Sequence, residues 1–266
     1  MALPQRNPNQ IEVRNIRADE AGEFLRLLCT VFELDFDRAS KVFFVEPTFD
    51  LGRKWALFEG DRMVSILTTS PVTFGWGKGI GIAGVATLQE ERGRGFASEL
   101  LEFVLKEAEK AGEGPALLFA HQETVYARHG FEVIDEVIRG KCVTDRTDWR
   151  PVTPLDQAVV EEHYTRWSSA NPARMLRDSL RWRVWKMGFR IANAIGEGYI
   201  THEGSLIREA VGVGADDWRL PPDSEWIGLK SMTQALSVPV ASTERELLLM
   251  ARNFPMAPQM FMTDQF

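Results

Sequence analysis

Apolar and polar residues alternate in "IEVRNIR" from Ile11, which predicts a strand, and the spacing then changes to three and four at Ala21, Phe24, Leu25, Leu28 and Phe32. That change predicts a helix, with Asp19 as its cap, and a second short helix follows from Asp37 to Phe44, ahead of Pro47. "KWALFEG" and "RMVSILTTSPVTFGWG" flank Gly60-Asp61 as the arms of a hairpin. "GIGIAGVATL" is a continuous apolar run of the kind a central strand carries. From Arg94 onward, Phe96, Ala97, Leu100, Leu101, Val104, Leu105 and Ala108 mark one stripe of a helix of about four turns at 3.6 residues each, stopped by Gly112 and Gly114. "PALLFA" then reads as a short buried strand, "ETVYARHG" as a short helix ending at Gly130, and "FEVIDEVIRGKCV" as a closing strand or pair of strands.

The pattern breaks at "TDRTDWRPVTP", where charges, a tryptophan and two prolines mark a boundary. Two domains are therefore expected, residues 1–148 and 149–266. The second is read as helices near Leu155 to Ser168 and from Pro172 to about Lys186, strands in "RIANAIG", "GYITHEG" and "SLIREAVG", and a helix near Glu225 to Leu236 or beginning slightly later. "TERELLLMARNF" reads as one more helix and "QMFMTDQF" as a terminal strand.

Composition narrows the class without naming a function. Of 266 residues, 44% are hydrophobic and 26% charged, the balance of a globular protein. There are 19 Lys and Arg against 24 Asp and Glu up to Arg150, and 12 against 14 beyond it, so both halves are acidic. A nucleic-acid partner would call for a basic stripe, and none is expected. No run of eighteen apolar residues is present and "MALPQRNPNQ" lacks the apolar core of a signal peptide, so a cytoplasmic chain that does not enter a membrane is expected. Cys29 and Cys142 are too few for a disulfide framework and read as packing residues, and His121, His129, His163 and His202 show no ligand spacing, so no metal is expected.

The chemistry concentrates at Arg92-Gly93-Arg94-Gly95, between the apolar strand and the long helix. Such a turn places free amides at a helix N-terminus, where the macrodipole favours anions. Glycines let a phosphate approach the backbone, and the two arginines reach phosphate oxygens from outside. The plainer reading is a tight turn with two solvated arginines. There is no GxxxxGK[ST], and position 98 is Ser98 where a dinucleotide fingerprint has Gly or Ala, so neither a P-loop nor a Rossmann site is indicated.

On these residues the stretch resembles the GCN5-related N-acetyltransferases, the GNAT superfamily, whose motif Q/R-x-x-G-x-G/A appears here as Glu90-Glu91-Arg92-Gly93-Arg94-Gly95. Glu90 departs from the usual Gln or Arg. The resemblance covers roughly the first 140 residues and implies an α/β (α+β) fold, a mixed, mostly antiparallel sheet flanked by helices. For the remainder it implies a degenerate second GNAT-like domain, similar to tandem enhanced-intracellular-survival acetyltransferases. Acetyl-CoA is the implied co-substrate, held by Val85, Ala86 and Thr87 along the pantetheine arm and by Arg92, Gly93, Arg94, Gly95, Phe96, Ala97 and Ser98 around the pyrophosphate.

The resemblance also implies roles for Tyr126 and Phe266. Tyr126, in "VYARHGF", matches the general acid that protonates the leaving thiolate; otherwise it is a core tyrosine on a short helix. Phe266 follows "FMTDQ", and in several tandem families the C-terminal carboxylate is the base; otherwise the segment closes a sheet. Glu33, Asp35, Asp37, Glu46 and Asp50 outnumber Arg38 and Lys41 in the segment that covers the acceptor in this fold, which suits a small cationic amine or a solvated surface. Trp55, Trp76, Trp182 and Trp185 line a pocket or pack in the core. The expected activity is acetyl transfer to a primary amine by direct attack. Its alternatives are an inactive acyl-CoA-binding sensor or scaffold and a nucleotide-phosphate binder of another α/β fold. Acceptor identity and oligomeric state are not written in the chain.

Overall fold

The computed structural model describes residues 11–143, 154–188 and 191–266. Its contacts divide the chain into two compact units: Met1–Pro71, Gly79–Leu117 and Phe266 form the first, Val72–Lys78 and Leu118–Gln265 the second. The boundary expected between residues 148 and 149 lies outside the described residues.

The first unit runs through β1 (Ile11–Asn15), α1 (Ala21–Phe32), α2 (Phe36–Phe43), β2 (Lys54–Glu59), β3 (Arg62–Phe74), β4 (Gly77–Thr87), α3 (Phe96–Lys110) and the start of β5 (Ala116–Ala120). The strands follow one another in chain order across the sheet. The hairpin forms where it is expected, with Glu59 opposite Arg62 and Gly60 in the left-handed region at φ 63°. Phe24, Leu25, Leu27 and Cys29 of α1 pack with Ala56, Phe58, Met63, Ile66 and Ala86 of the sheet. Asp35 caps α2 by accepting from the Arg38 amide at 2.7 Å. Asp19 does not cap α1: a short 3-10 turn precedes the helix, and Glu20 takes the polar contacts instead, from the Arg17 amide and the Arg14 guanidinium at 2.7 Å each. α3 buries Phe96, Leu100, Leu101, Val104, Leu105 and Ala108, with about 1.5–3 kcal/mol expected for each large apolar side chain. It ends where Gly112 turns left-handed at φ 75° and the Glu113 amide reaches back to the Ala108 carbonyl at 2.8 Å.

The second unit contains α4 (Thr124–Ala127), β6 (Glu132–Cys142), α5 (Gln157–Ser169), β7 (Met175–Leu176), α6 (Ser179–Met187), β8 (Ile191–Ile195), β9 (Gly198–Glu203), β10 (Leu206–Val211), β11 (Glu225–Leu229), α7 (Lys230–Ala235) and β12 (Val240–Arg252). Its strand order is β12-β6-β11-β10-β9-β8, antiparallel except between β10 and β11. β6 is bonded on one edge by β12 and on the other by β11, which is why residues following Leu118 group with the later part of the chain. Ile195, Ile200, Ile207, Trp218 and Trp226 fill its core. Cys142 lies beside them as a free thiol, with burial pushing its pKa up to about 12.

The fold class is the one expected, a mixed and mostly antiparallel sheet with helices. Four local expectations change in the second unit. The helix expected from Pro172 begins only at Ser179, because Met175 and Leu176 pair with Phe74 and Thr73 of β3 and Asp178 then caps the helix by accepting from the Arg181 amide at 2.8 Å. "TERELLLMARNF" is a strand, because Leu248, Leu249, Met250 and Ala251 are buried consecutively as both faces are covered, a pattern that periodicity cannot tell from a buried helix. Glu225 to Leu236 divides into β11 and α7, with Trp226 Nε1 donating to Thr233 Oγ1 at 2.7 Å across the corner. "QMFMTDQF" makes a single parallel bridge, Gln259 to Arg174, and then a 3-10 turn at Met262–Asp264.

Candidate active site

β4 leads into the turn and carries two glycines the site requires. Gly84 is left-handed at φ 58°, and a Cβ there would also stand 3.0 Å from Leu28 Cδ1, so the extended run is broken just before Val85, Ala86 and Thr87. Ser65 on β3 holds the end of this strand in place: its hydroxyl donates to the Ala86 carbonyl at 3.1 Å and lies 2.8 Å from Thr87 Oγ1. The Leu88 amide donates to the Val64 carbonyl at 3.0 Å, so the chain just past the strand is still bonded to β3.

Beyond a 3-10 turn at Gln89–Glu91, Gly93 and Gly95 are left-handed at φ 80° and 88°. Apart from its chain neighbours, no heavy atom of the described residues stands within 4 Å of a Cβ built on either, so the turn is open on that side. Gly95 is the N-cap of α3 and, being glycine, brings no capping side chain of its own. An open, glycine-lined loop feeding a helix of 15 residues offers its amides to an anion, and these residues fit the pyrophosphate of a coenzyme. Val85 through Ser98 are thus one continuous stretch within the first unit.

The charges around the turn are paired in a chain that the sequence did not reveal. Arg62 bonds Glu90 at 2.5 Å and Glu91 at 2.6 Å; Arg94 bonds Glu91 and Glu59 at 2.5 Å each. Hydrogen bonds that the guanidinium donates to Glu59 and Glu91 raise the Arg94 pKa, and its fork is taken up by these carboxylates while its backbone remains in the loop. Glu90, the departure from the motif, has its charge met by Arg62. Arg92 is exposed, with Nε 3.4 Å from the Thr87 carbonyl.

Phe266 belongs to the first unit, and its ring lies on β4 at Gly81: a Cβ at position 81 would fall 2.5 Å from the ring carbons. Glycine at 81 is therefore required by the approach of an aromatic residue 185 positions away in the chain. Tyr126 sits in the second unit, half-buried on α4, edge-on to Phe131 at 6.2 Å. Burial raises its phenol pKa, so it stays protonated at neutral pH.

Of the acidic residues near α2, three have local partners. Asp35 caps the helix, Asp50 accepts from the Gly52 amide at 2.8 Å, and Glu46 lies 3.5 Å from Lys54. The Lys54 ammonium is buried over the rings of Phe43 and Phe49 at 4.6 and 5.1 Å, and desolvation lowers its pKa against the pull of Glu46. Trp182 and Trp185 are core residues of the second unit, 5.7 Å apart edge to face; Trp76 stacks on Phe74 there, and Trp55 in the first unit donates to Thr69 at 3.3 Å.

Sequence reasoning also missed a buried cluster in the second unit. Arg177 donates to Asp264 through Nε at 2.7 Å and to Glu209 through Nη2 at 2.5 Å, with all three side chains buried. Thr263 bonds both Arg177, at 2.8 Å, and Glu209. Tyr164 donates to the Met175 carbonyl at 2.9 Å and to Asp264 at 3.2 Å, and Tyr199 donates to Glu209 at 2.5 Å. Burial alone would lower the Arg177 pKa, but Asp264 and Glu209 outweigh it and hold it well above its ordinary value. Its members are separated by up to 100 positions, and no local pattern announces them.

Among the described residues no group of three His, Cys, Asp or Glu side chains is placed to hold a metal, and no helix is long and apolar enough to cross a membrane.

Residues 12–134 match the model of the acetyltransferase (GNAT) domain. Solved structures with similar folds include a GCN5-related N-acetyltransferase from Kribbella flavida, 19% identical with a TM-score of 0.68 over 91% of this chain and 70% of that one. A GCN5-related N-acetyltransferase from Anabaena variabilis ATCC 29413 is 16% identical, TM-score 0.69, over 91% and 72%. Eis1 from Mycobacterium abscessus is 14% identical, TM-score 0.58, over 90% and 73%. No curated protein sequence matches.

Proposed function

We propose that this chain, whose residues 12–134 match the model of the acetyltransferase (GNAT) domain, transfers the acetyl group of acetyl-CoA to a primary amine by direct attack. The open left-handed turn at Gly93 and Gly95, feeding the glycine-led N-terminus of α3, carries this reading. The backbone of Arg92 through Ser98 holds the pyrophosphate, and Val85, Ala86 and Thr87 pair with the pantetheine arm beyond the break at Gly84. When bound, acetyl-CoA supplies an activated thioester. The amide groups of β4 near Val85 stabilise the negative charge that develops on its carbonyl oxygen.

Tyr126 is the general acid; its raised pKa keeps the proton available for the departing thiolate. Phe266, with its ring on Gly81 of β4, contributes the base through its carboxylate, which removes the proton that the attacking ammonium must lose. Holding amine and thioester together lowers the barrier by positioning. The net charge of −7 supports a cationic acceptor, a small molecule in this reading, with steering that weakens as salt rises.

The test is acetyl-CoA turnover, read as free thiol, over a panel of primary amines, for the wild type, Tyr126→Phe and a chain lacking Phe266. Turnover that falls sharply in both variants while acetyl-CoA binding persists supports these roles. Absence of any coenzyme A binding sinks the reading of the turn. Tight binding without turnover on any amine gives the sensor or scaffold reading in its place.

A further inference from the structure

We infer that Arg177 is a positioning residue for Phe266, acting through Asp264; the inference rests on the role proposed above for Phe266. Asp264 is two residues from Phe266, and two residues of extended chain span at most about 7 Å. Whatever fixes Asp264 therefore limits where Phe266 can be. The grip on Asp264 is strong: Arg177 reaches both carboxylate oxygens, at 2.7 and 2.9 Å, Tyr164 reaches Oδ2 at 3.2 Å, and the Arg181 guanidinium reaches the Asp264 backbone carbonyl at 3.4 Å. Thr263, the preceding residue, is bonded into the same cluster through Arg177 and Glu209.

The charge count argues that this grip does more than neutralise a buried arginine. Glu209 already faces Arg177 with both oxygens, at 3.2 and 2.5 Å, and Tyr199 satisfies Glu209 further. A single carboxylate suffices for one guanidinium, and the second must be desolvated as well, a cost that buried ion pairs do not recover by default. The second carboxylate lies in the segment that ends at Phe266. A cluster that commits a desolvated carboxylate to that segment specifies its position, the use of buried charge best separated from mere stability.

A double-mutant cycle tests this on the full chain, with an amine that the turnover assay identifies as an acceptor. The four proteins are the wild type, Asp264→Asn, the chain lacking Phe266, and both changes together, each assayed for kcat and for the KM of acetyl-CoA. Asp264→Asn keeps the shape while removing the charge that Arg177 grips. Expected is a fall in kcat of about ten- to a hundredfold, the scale of an ångström-sized misplacement, with the KM of acetyl-CoA unchanged. Expected also is no further fall when Asp264→Asn is added to the chain lacking Phe266. Wild-type kcat in folded Asp264→Asn, or the same fold loss with and without Phe266, overturns the positioning role. Wild-type turnover in the chain lacking Phe266 overturns the role of Phe266 itself, and this inference with it. If Asp264→Asn does not fold, Thr263→Val replaces it in the cycle, with the same expectation and the same overturning results.

Discussion

Arg94 and Arg177 each meet two carboxylates, yet the Arg94 side chain is 47% exposed and that of Arg177 is 0% exposed. Around Arg94 water reaches the guanidinium and screens its contacts, although Glu91 itself is buried, so these pairs contribute less than fully buried ones and can be exchanged as the proposed binding of a phosphate requires. Around Arg177 the two carboxylates are held by direct hydrogen bonds in a medium that cannot solvate a charge, so losing their shared cation is costly. The first arrangement suits a loop that must receive a ligand. The second suits a frame that must keep a short segment in one place.

The largest effect is expected at the buried end of this comparison. Arg177→Met should cost about 3–5 kcal/mol of stability, because Glu209 and Asp264 are left facing each other without their cation. Urea unfolding measures it, and a loss below about 1 kcal/mol would show that the cluster is not the fixed frame described.

Glu20 is an intermediate case. Its carboxylate is 11% exposed, and the hydrogen bond from Arg14, with the Arg17 amide, holds its pKa down at about 2. A depressed carboxylate stabilises the fold above its unfolded pKa and loses that contribution as pH falls through the folded value. Glu20→Gln should therefore cost about 1–3 kcal/mol at pH 7 and progressively less from the ordinary carboxylate range down to about pH 2. Melting temperatures of the two proteins that stay equally far apart across that range would contradict it.

At the open turn the effects move from stability to binding. Gly95→Ala puts a side chain at φ 88° and should cost about 1–2 kcal/mol of backbone strain, with weaker acetyl-CoA binding by calorimetry as the turn distorts. Unchanged affinity would separate the turn from the coenzyme. The smallest effect is expected for Glu90→Gln, where an exposed, solvent-screened pair with Arg62 is lost: the thermal midpoint should stay essentially where it is in the wild type. A clear fall in that midpoint would mean that the exposed chain of charges is as rigid as the buried one.

Local order along the chain determined a large share of this protein. The alternation at Ile11, the hairpin at Gly60, the stripe from Phe96 to Ala108 and the glycines at 93 and 95 are all written within windows of a few residues, because hydrophobic period and glycine conformation are local properties. The glycine turn was legible for the same reason: amides at a helix N-terminus need only the strand, the glycines and the helix in succession. Only the tertiary structure decided that "TERELLLM" is a strand, since its buried run becomes distinguishable from a helix once β6 pairs with it. It alone decided why position 81 is glycine, by bringing Phe266 against it, and it alone gathered Tyr164, Arg177, Glu209 and Asp264. Charges and rings that meet across such separations interact by distance in space, and distance in space is what a hydrophobic period does not encode.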